Sequence, residues 1–183
     1  EELRGKGITY CTTCDGPLFG GKVVATIGGG NSALESALMM EGIASKVYLI
    51  NKNPKLKGDA VLIEKAQKSD KIEIVPNALT KSFSGEGFLK QMTYTDTESD
   101  EEKTLNIEGA FVHIGMVPNS DIVPDEVEKN KFGEIVVNDK CETNVPGLFA
   151  AGDVTNVPYK QIAMAAGQGV SAALTAVSYL NRA

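Results

Sequence analysis

The stretch VVATIGGGNSALESAL, residues 23–38, constrains the fold more than any other part of the chain. Val23 to Ile27 is a short β-branched run that reads as a buried strand. The residues after the glycines have helical spacing at Leu34, Ala37 and Leu38, with a stop at Glu41-Gly42. Between them, Gly28-x-Gly30-x-x-Ala33 fits a dinucleotide-binding turn. The first glycine permits a tight strand-to-helix turn, the second lets backbone approach a pyrophosphate, and a small third residue lets helix and strand pack. Gly30, Asn31 and Ser32 open the helix, where free N–H groups and the helix dipole receive phosphates. A glycine-rich packing turn without a ligand is the competing reading.

Lys46 to Ile50 predicts a second strand, making a βαβ unit with a right-handed crossover. Asp59 to Lys68 predicts a helix and Ile72 to Val75 a third strand. Parallel strands need helix-covered faces, so the expected class is α/β with a doubly wound, Rossmann-like sheet. Between Ala78 and Glu108 the pattern shifts to short alternating runs, expected as a small antiparallel meander whose acidic stretch 98–102 is a solvated loop. Ala110 to Ile114 returns to a buried strand ending at Gly115. Pro118 then breaks the chain, and the expected domains are 1–116 and 117–183. Beyond the break, short strands are expected at 134–137 and 147–151, and a helix from Gln161 to about Leu180.

In a dinucleotide turn, a residue about 20 positions on reads the ribose, where a carboxylate binds both hydroxyls and a basic cluster selects a 2′-phosphate. That position is Asn51, followed by Lys52, Lys55 and Lys57. Neither pattern is met cleanly, so NADH and NADPH both remain open.

Cys11-Thr12-Thr13-Cys14 lies a few residues ahead of the turn. Zinc needs four ligands, and only Cys141 and His113 remain, without a second spaced pair, so no metal is expected. A close pair beside an acid is better explained as a thiol exchanger, because a leaving thiolate needs a proton donor. Asp15 follows Cys14 directly and is the expected acid. His113, within the apolar AFVHIGM, reads as a satisfied core histidine, and Cys141 as a structural free thiol.

The remaining exclusions come from composition. A formal charge of -6 with scattered lysines argues against nucleic acid. No apolar run approaches the roughly 18 residues that would span a bilayer. Three cysteines in 183 residues do not make a disulfide scaffold, and the expected compartment is the cytoplasm.

The stretches CTTCDGPLFGGK, IGGGNSALESAL, FVHIGMVPN and GLFAAGDVTNVPYKQIAMAAGQG resemble the low-molecular-weight thioredoxin reductases, and more closely the flavoprotein subunit of alkyl hydroperoxide reductase. The resemblance covers nearly the whole chain in order. It implies two Rossmann-like domains, one for NAD(P)H that holds the CxxC and the C-terminal part of one for FAD. It implies that Cys14 lies against the flavin, that Cys11 attacks a partner's disulfide, and that Asp15 shuttles the proton. It further implies that Gly152 and Asp153 bind the FAD ribityl chain, that Lys160, Gln161 and Ile162 sit near the flavin pyrimidine, and that Gly115 opens a hinge strand beside the cofactors. The implied partner is a thioredoxin-like or peroxiredoxin-reducing disulfide protein, and the implied intact assembly is a homodimer. Against the family's pattern the chain starts, at Glu1 with no initiator Met, just before the CxxC. Roughly a hundred residues, about a small domain's worth, would precede it. The expectation is therefore a fragment or processed chain that holds FAD poorly alone, and its bland alternative is a nucleotide-binding module without turnover.

Overall fold

The structure, a computed structural model, describes residues 2–182. The chain divides into two compact units, Glu1–Ile114 and Gly115–Ala183.

The first unit is built on a five-stranded parallel sheet formed by β1 (Ile8–Thr9), β2 (Val23–Ile27), β3 (Lys46–Ile50), β4 (Ile72–Val75) and β8 (Gly109–Val112), in the order β1-β8-β2-β3-β4. Helices α1 (Thr12–Asp15), α2 (Asn31–Glu41) and α3 (Ala60–Lys68) lie between strands, and a 3-10 turn, Gly16–Phe19, follows α1. The meander β5 (Ala78–Ser84), β6 (Gln91–Asp96) and β7 (Glu102–Asn106) is antiparallel.

Strand β2 is apolar but for the buried Thr26, because both faces of the sheet are covered, as parallel sheets require. On one face Val24, Val47, Leu49 and Phe111 pack with Ala33, Leu34, Ala37 and Met40 of α2. On the other, Ala25, Ile27, Ile50 and Ala110 pack with Leu89, Met92 and Tyr94 of the meander segment. Residues of β2 therefore alternate between two buried layers, which is why no polar face appears in its sequence. The expected elements at 23–27, 31–41, 46–50, 59–68 and 72–75, and the meander, are all present. The strand expected at 110–114 runs instead from Gly109 to Val112.

Among the described residues the second unit contains one helix, α4 (Ile162–Leu180), with Gln161 at its N-cap. None of its residues is buried, and Ile162 is 90% and Leu174 67% exposed. The strands expected at 134–137 and 147–151 reduce to single bridges, Ile135 with Lys129 and Thr155, and Phe149 with Glu142. Asparagine side chains explain the difference. At 134–137, Asn130 Oδ1 accepts from the N–H groups of Phe132 and Glu134, and Asn156 Oδ1 from that of Val137. These local bonds take up donors that a ladder would need.

Candidate active site

Four chain segments leave the same end of the parallel sheet. Thr9 is level with Phe111, and Ile27 with Val112 and Ile50. The carboxyl ends of β1, β2, β3 and β8 thus release the CTTC segment, the glycine turn, the Asn51–Lys57 loop and His113 respectively. Ligands of open parallel sheets bind outside these strand ends.

At the glycine turn, Gly28 has φ +140°, and a Cβ there would lie 2.2 Å from the His113 carbonyl oxygen. No side chain fits, because the turn passes directly against backbone. Gly30, the N-cap of α2, is different: a Cβ there would meet nothing within 4 Å. The space before the helix N-terminus is open, as a cradle for a phosphate must be. Ala33 is buried behind it, while Asn31 and Ser32 are exposed.

The loop after β3 is fastened to this cradle. The Lys57 N–H donates to Gly29 O at 2.7 Å. Asn51 is 2% exposed, and its amide donates to the carbonyls of Asn53 and Lys55 at 2.9 and 3.0 Å. Its side chain therefore organises the loop, whereas Lys52 and Lys57 are exposed. Asp59, which sequence reasoning passed over, grips Asn31 across the mouth of the cradle.

Cys11 caps α1 and is disulfide-bonded to Cys14, with Cα atoms 5.3 Å apart. Cys11 is half-buried and Cys14 exposed. Asp15 is held below them. The Thr9 hydroxyl donates to Asp15 Oδ2 in a short hydrogen bond and accepts from Cys11 N–H at 3.3 Å. Thr9 thereby ties the acid to the first cysteine's backbone. Its role is hard to read from sequence, since β1 is two residues long and shows no periodicity.

Thr12, between the cysteines, points inward. Its Oγ1 lies 2.6 Å from Ser36 Oγ and 3.0 Å from His113 Nε2. His113 is half-buried, and burial pushes its pKa below the ordinary imidazole value. Cys141 is a buried free thiol whose pKa burial raises, and its Sγ lies 3.4 Å from Gln168 O. Among the described residues no three His, Cys, Asp or Glu side chains gather as a metal site.

In the second unit Gly152 turns at φ +80°, and its N–H donates to Gln168 Oε1 at 2.7 Å. The next residue, Asp153, is exposed. Lys160 pairs with Glu134 at 2.8 Å and also donates to Thr155 O. Gln161 and Ile162 are exposed at the start of α4, and Gly115 is exposed with φ +102°.

The family described as pyridine nucleotide-disulphide oxidoreductase matches residues 1–169. The chain belongs to this family. Among pyridine nucleotide-disulphide oxidoreductase relatives, the alkyl hydroperoxide reductase F subunit of Escherichia coli (strain K12) is 46% identical over 183 residues, covering 100% of this chain and 35% of that protein. A protein named NADH dehydrogenase from Bacillus subtilis (strain 168) is also 46% identical, over 182 residues, with 36% of its own length covered. The chain thus spans about a third of the length of these relatives. Of solved structures, thioredoxin reductase from Streptococcus pyogenes MGAS5005 superposes with a TM-score of 0.90 at 28% identity, over 97% of this chain and 58% of that one. Thioredoxin reductase from T. acidophilum superposes with a TM-score of 0.71 at 38% identity, over 99% and 59%. The fold is accordingly the Rossmann-like α/β arrangement of thioredoxin reductases, and the family to which the chain belongs is one of oxidoreductases. No described helix is long and apolar enough to cross a membrane.

Proposed function

We propose that this chain is the nicotinamide-nucleotide and disulfide portion of a thioredoxin-reductase-type flavoprotein. Residues 1–116 act as the NAD(P)H domain and residues 117–183 as part of the FAD domain. One observation carries the reading: an open glycine cradle and the Cys11–Cys14 disulfide follow the carboxyl ends of strands of one parallel sheet.

Gly28, Gly30, Asn31, Ser32 and Ala33 receive the dinucleotide phosphates, since the cradle has room in front of Gly30 and backbone N–H groups to offer. Asn51 shapes the neighbouring loop, and Lys52 and Lys57 face the adenosine end of NADPH or NADH. Gly152, Asp153, Lys160, Gln161 and Ile162, with Gly115, are the positions offered to FAD. Bound FAD supplies the step between a two-electron hydride donor and a one-bond disulfide acceptor. The protein's own residues handle the thiols. Reduction breaks the Cys11–Cys14 bond, and the electron pair leaves both sulfurs reduced. Cys11 then attacks the disulfide of a thioredoxin-like or peroxiredoxin-reducing partner, forming a mixed disulfide. Cys14 resolves it and restores the internal bond. Asp15, tied to Thr9 beside Cys11, holds the proton the leaving thiolate takes. The location proposed is the cytoplasm, and the intact protein is proposed to be a homodimer.

A second reading is a nucleotide-binding module without turnover of its own. It rests on the glycine cradle, whose turn and fastening loop lie wholly within the first unit. The two separate spectroscopically. NADH and NADPH affinities are measured with and without added FAD. Flavin absorbance that NAD(P)H bleaches supports the reductase, whereas nucleotide binding without bleaching supports the module. Cys14→Ser should abolish disulfide reduction and leave nucleotide affinity unchanged; full reductase activity in that variant removes the proposed relay.

A further inference from the structure

We propose that Thr12, Ser36 and His113 form a positioning device that pins the first turn of α1 in its disulfide-closed arrangement and so keeps the Cys11–Cys14 couple strongly reducing. This rests on the reading of that disulfide as redox-active.

Three segments far apart in sequence meet at one hydroxyl. Thr12 is the first residue of α1, directly after Cys11, and is 5% exposed. Its Oγ1 touches Ser36 on α2, the helix that the glycine cradle begins, and His113 at the end of β8. Ser36 Oγ is in turn 3.5 Å from Thr26 Oγ1 of β2, and Ser36 and Thr26 are 4% and 0% exposed. A row of hydroxyls and one imidazole thus crosses a layer otherwise filled by Val24, Ala33 and Phe111. Each hydroxyl has one proton to give, and a neutral imidazole gives one and accepts one. The row can therefore be satisfied end to end in a single direction. Burial favours that neutral imidazole.

The device has a consequence for the sulfurs because Thr12 lies between them. Reducing the disulfide adds two electrons and two protons and breaks the S–S bond. The sulfurs must then part to non-bonded distance, in part by rotation about their Cα–Cβ bonds and in part by a widening of the N-terminal turn of α1. Two hydrogen bonds into the sheet and α2 oppose that movement at Thr12. Holding two groups close raises their effective concentration for bond formation, so the clasp favours the disulfide over the dithiol. Valine would fill nearly the same volume at position 12 but make neither bond.

The test equilibrates the purified protein in buffers of reduced and oxidised dithiothreitol, which supply and accept the electron pair. Free thiols are then alkylated, and the peptide bearing Cys11 and Cys14 is weighed. Thr12→Val should raise the dithiol-to-disulfide ratio about ten-fold at fixed buffer, equivalent to about 30 mV for a two-electron couple. Ser36→Ala should move it the same way by less, and Thr12→Ser, which keeps the hydroxyl, should restore the original ratio. A lowered melting temperature for Thr12→Val with an unchanged ratio would mean the trio is merely structural, and would overturn the inference. If Thr12→Val fails to fold, Ser36→Ala decides by the same ratio. Should the unsubstituted protein not titrate reversibly, the redox reading of the disulfide fails first, and that outcome is distinct from an unshifted variant.

Discussion

Asn31 and Asp59 hold each other reciprocally across the mouth of the glycine cradle. Asn31 Nδ2 donates to Asp59 Oδ2 at 3.0 Å, and the Asp59 N–H donates to Asn31 Oδ1 at 2.8 Å. Asp59 stands at the N-cap of α3, yet its carboxylate makes no cap bond there. It serves the cradle instead, fastening the start of α3 to the start of α2. Asp59→Ala removes the bond from Asn31 Nδ2, keeps the backbone bond to Asn31 Oδ1, and should loosen the start of α3 against the turn. The expected result is NAD(P)H binding weakened by about three- to ten-fold, read by calorimetric titration, with little change in melting temperature because both side chains are exposed. Asp59→Asn keeps an acceptor oxygen and should retain most of the affinity. Unchanged affinity in Asp59→Ala would separate this clasp from nucleotide binding.

Gly28 and Gly30 of the turn do different work, and substitution separates them. Alanine at Gly28 meets both a positive φ and the His113 carbonyl at 2.2 Å. Gly28→Ala should therefore cost about 3 kcal/mol of stability from backbone strain and overpacking. Gly30 has a negative φ and open space in front of it. Gly30→Ala should fold normally but fill the room a pyrophosphate needs, weakening nucleotide binding by ten-fold or more, on the order of 1.4 kcal/mol. Denaturant midpoints and nucleotide titration, run on both variants, distinguish the effects. A destabilised Gly30→Ala protein, or one that binds normally, contradicts the assignment of that space.

Asn51 sits where a dinucleotide fold commonly places a ribose-binding carboxylate. Here its two amide hydrogens hold the carbonyls of Asn53 and Lys55 while its side chain is buried. Aspartate cannot donate either bond and would bury a charge against two carbonyl oxygens. Asn51→Asp should lower stability by on the order of 3 kcal/mol and bring no preference for NADH. The check is a denaturant midpoint together with the ratio of NADH to NADPH affinity. A variant that gains NADH affinity at unchanged stability would return Asn51 to the ribose.

Which of these features the sequence discloses depends on how local their causes are. The strands Val23–Ile27 and Lys46–Ile50 and helix α2 are legible because burial on both sheet faces and a helical repeat leave periodic marks within a few residues. The pairing of β1 with β8 leaves none, since Ile8 finds Ala110 far along the chain. The same holds for Thr12, Ser36 and His113, ordinary residues individually, whose meeting depends on three elements packing. In the second unit, Glu134 to Val137 has strand-like composition, but Asn130 and Asn156 take the donors of Glu134 and Val137. Propensity reads the residues and misses the competing acceptors. At the cysteine pair, the redox chemistry is suggested by the spacing and the acid that follows it, while the anchoring of Asp15 through Thr9 is not.

Glu134 gives the second unit a pH dependence whose sign follows from its partners. Hydrogen bonds from Lys160 and Asn130 hold its carboxyl below the ordinary carboxylate range. The folded state thus binds a proton less readily than the unfolded chain, where glutamate titrates at about 4.3. The stability this provides is fully present above that unfolded value. It is lost as the pH falls from there through the lower folded pKa, because the unfolded chain takes up the proton first. Glu134→Gln keeps an acceptor for Asn130 but leaves Lys160, whose side chain is 14% exposed, with a half-buried cation and only the Thr155 carbonyl of the two partners described. It should lower the melting temperature at pH 7, and the gap between variant and original should shrink as the pH drops from 5 toward 3, roughly across the carboxylate range. Thermal melts over that series check it. A gap that stays constant to pH 3 would show that the carboxylate's charge contributes nothing to holding Lys160.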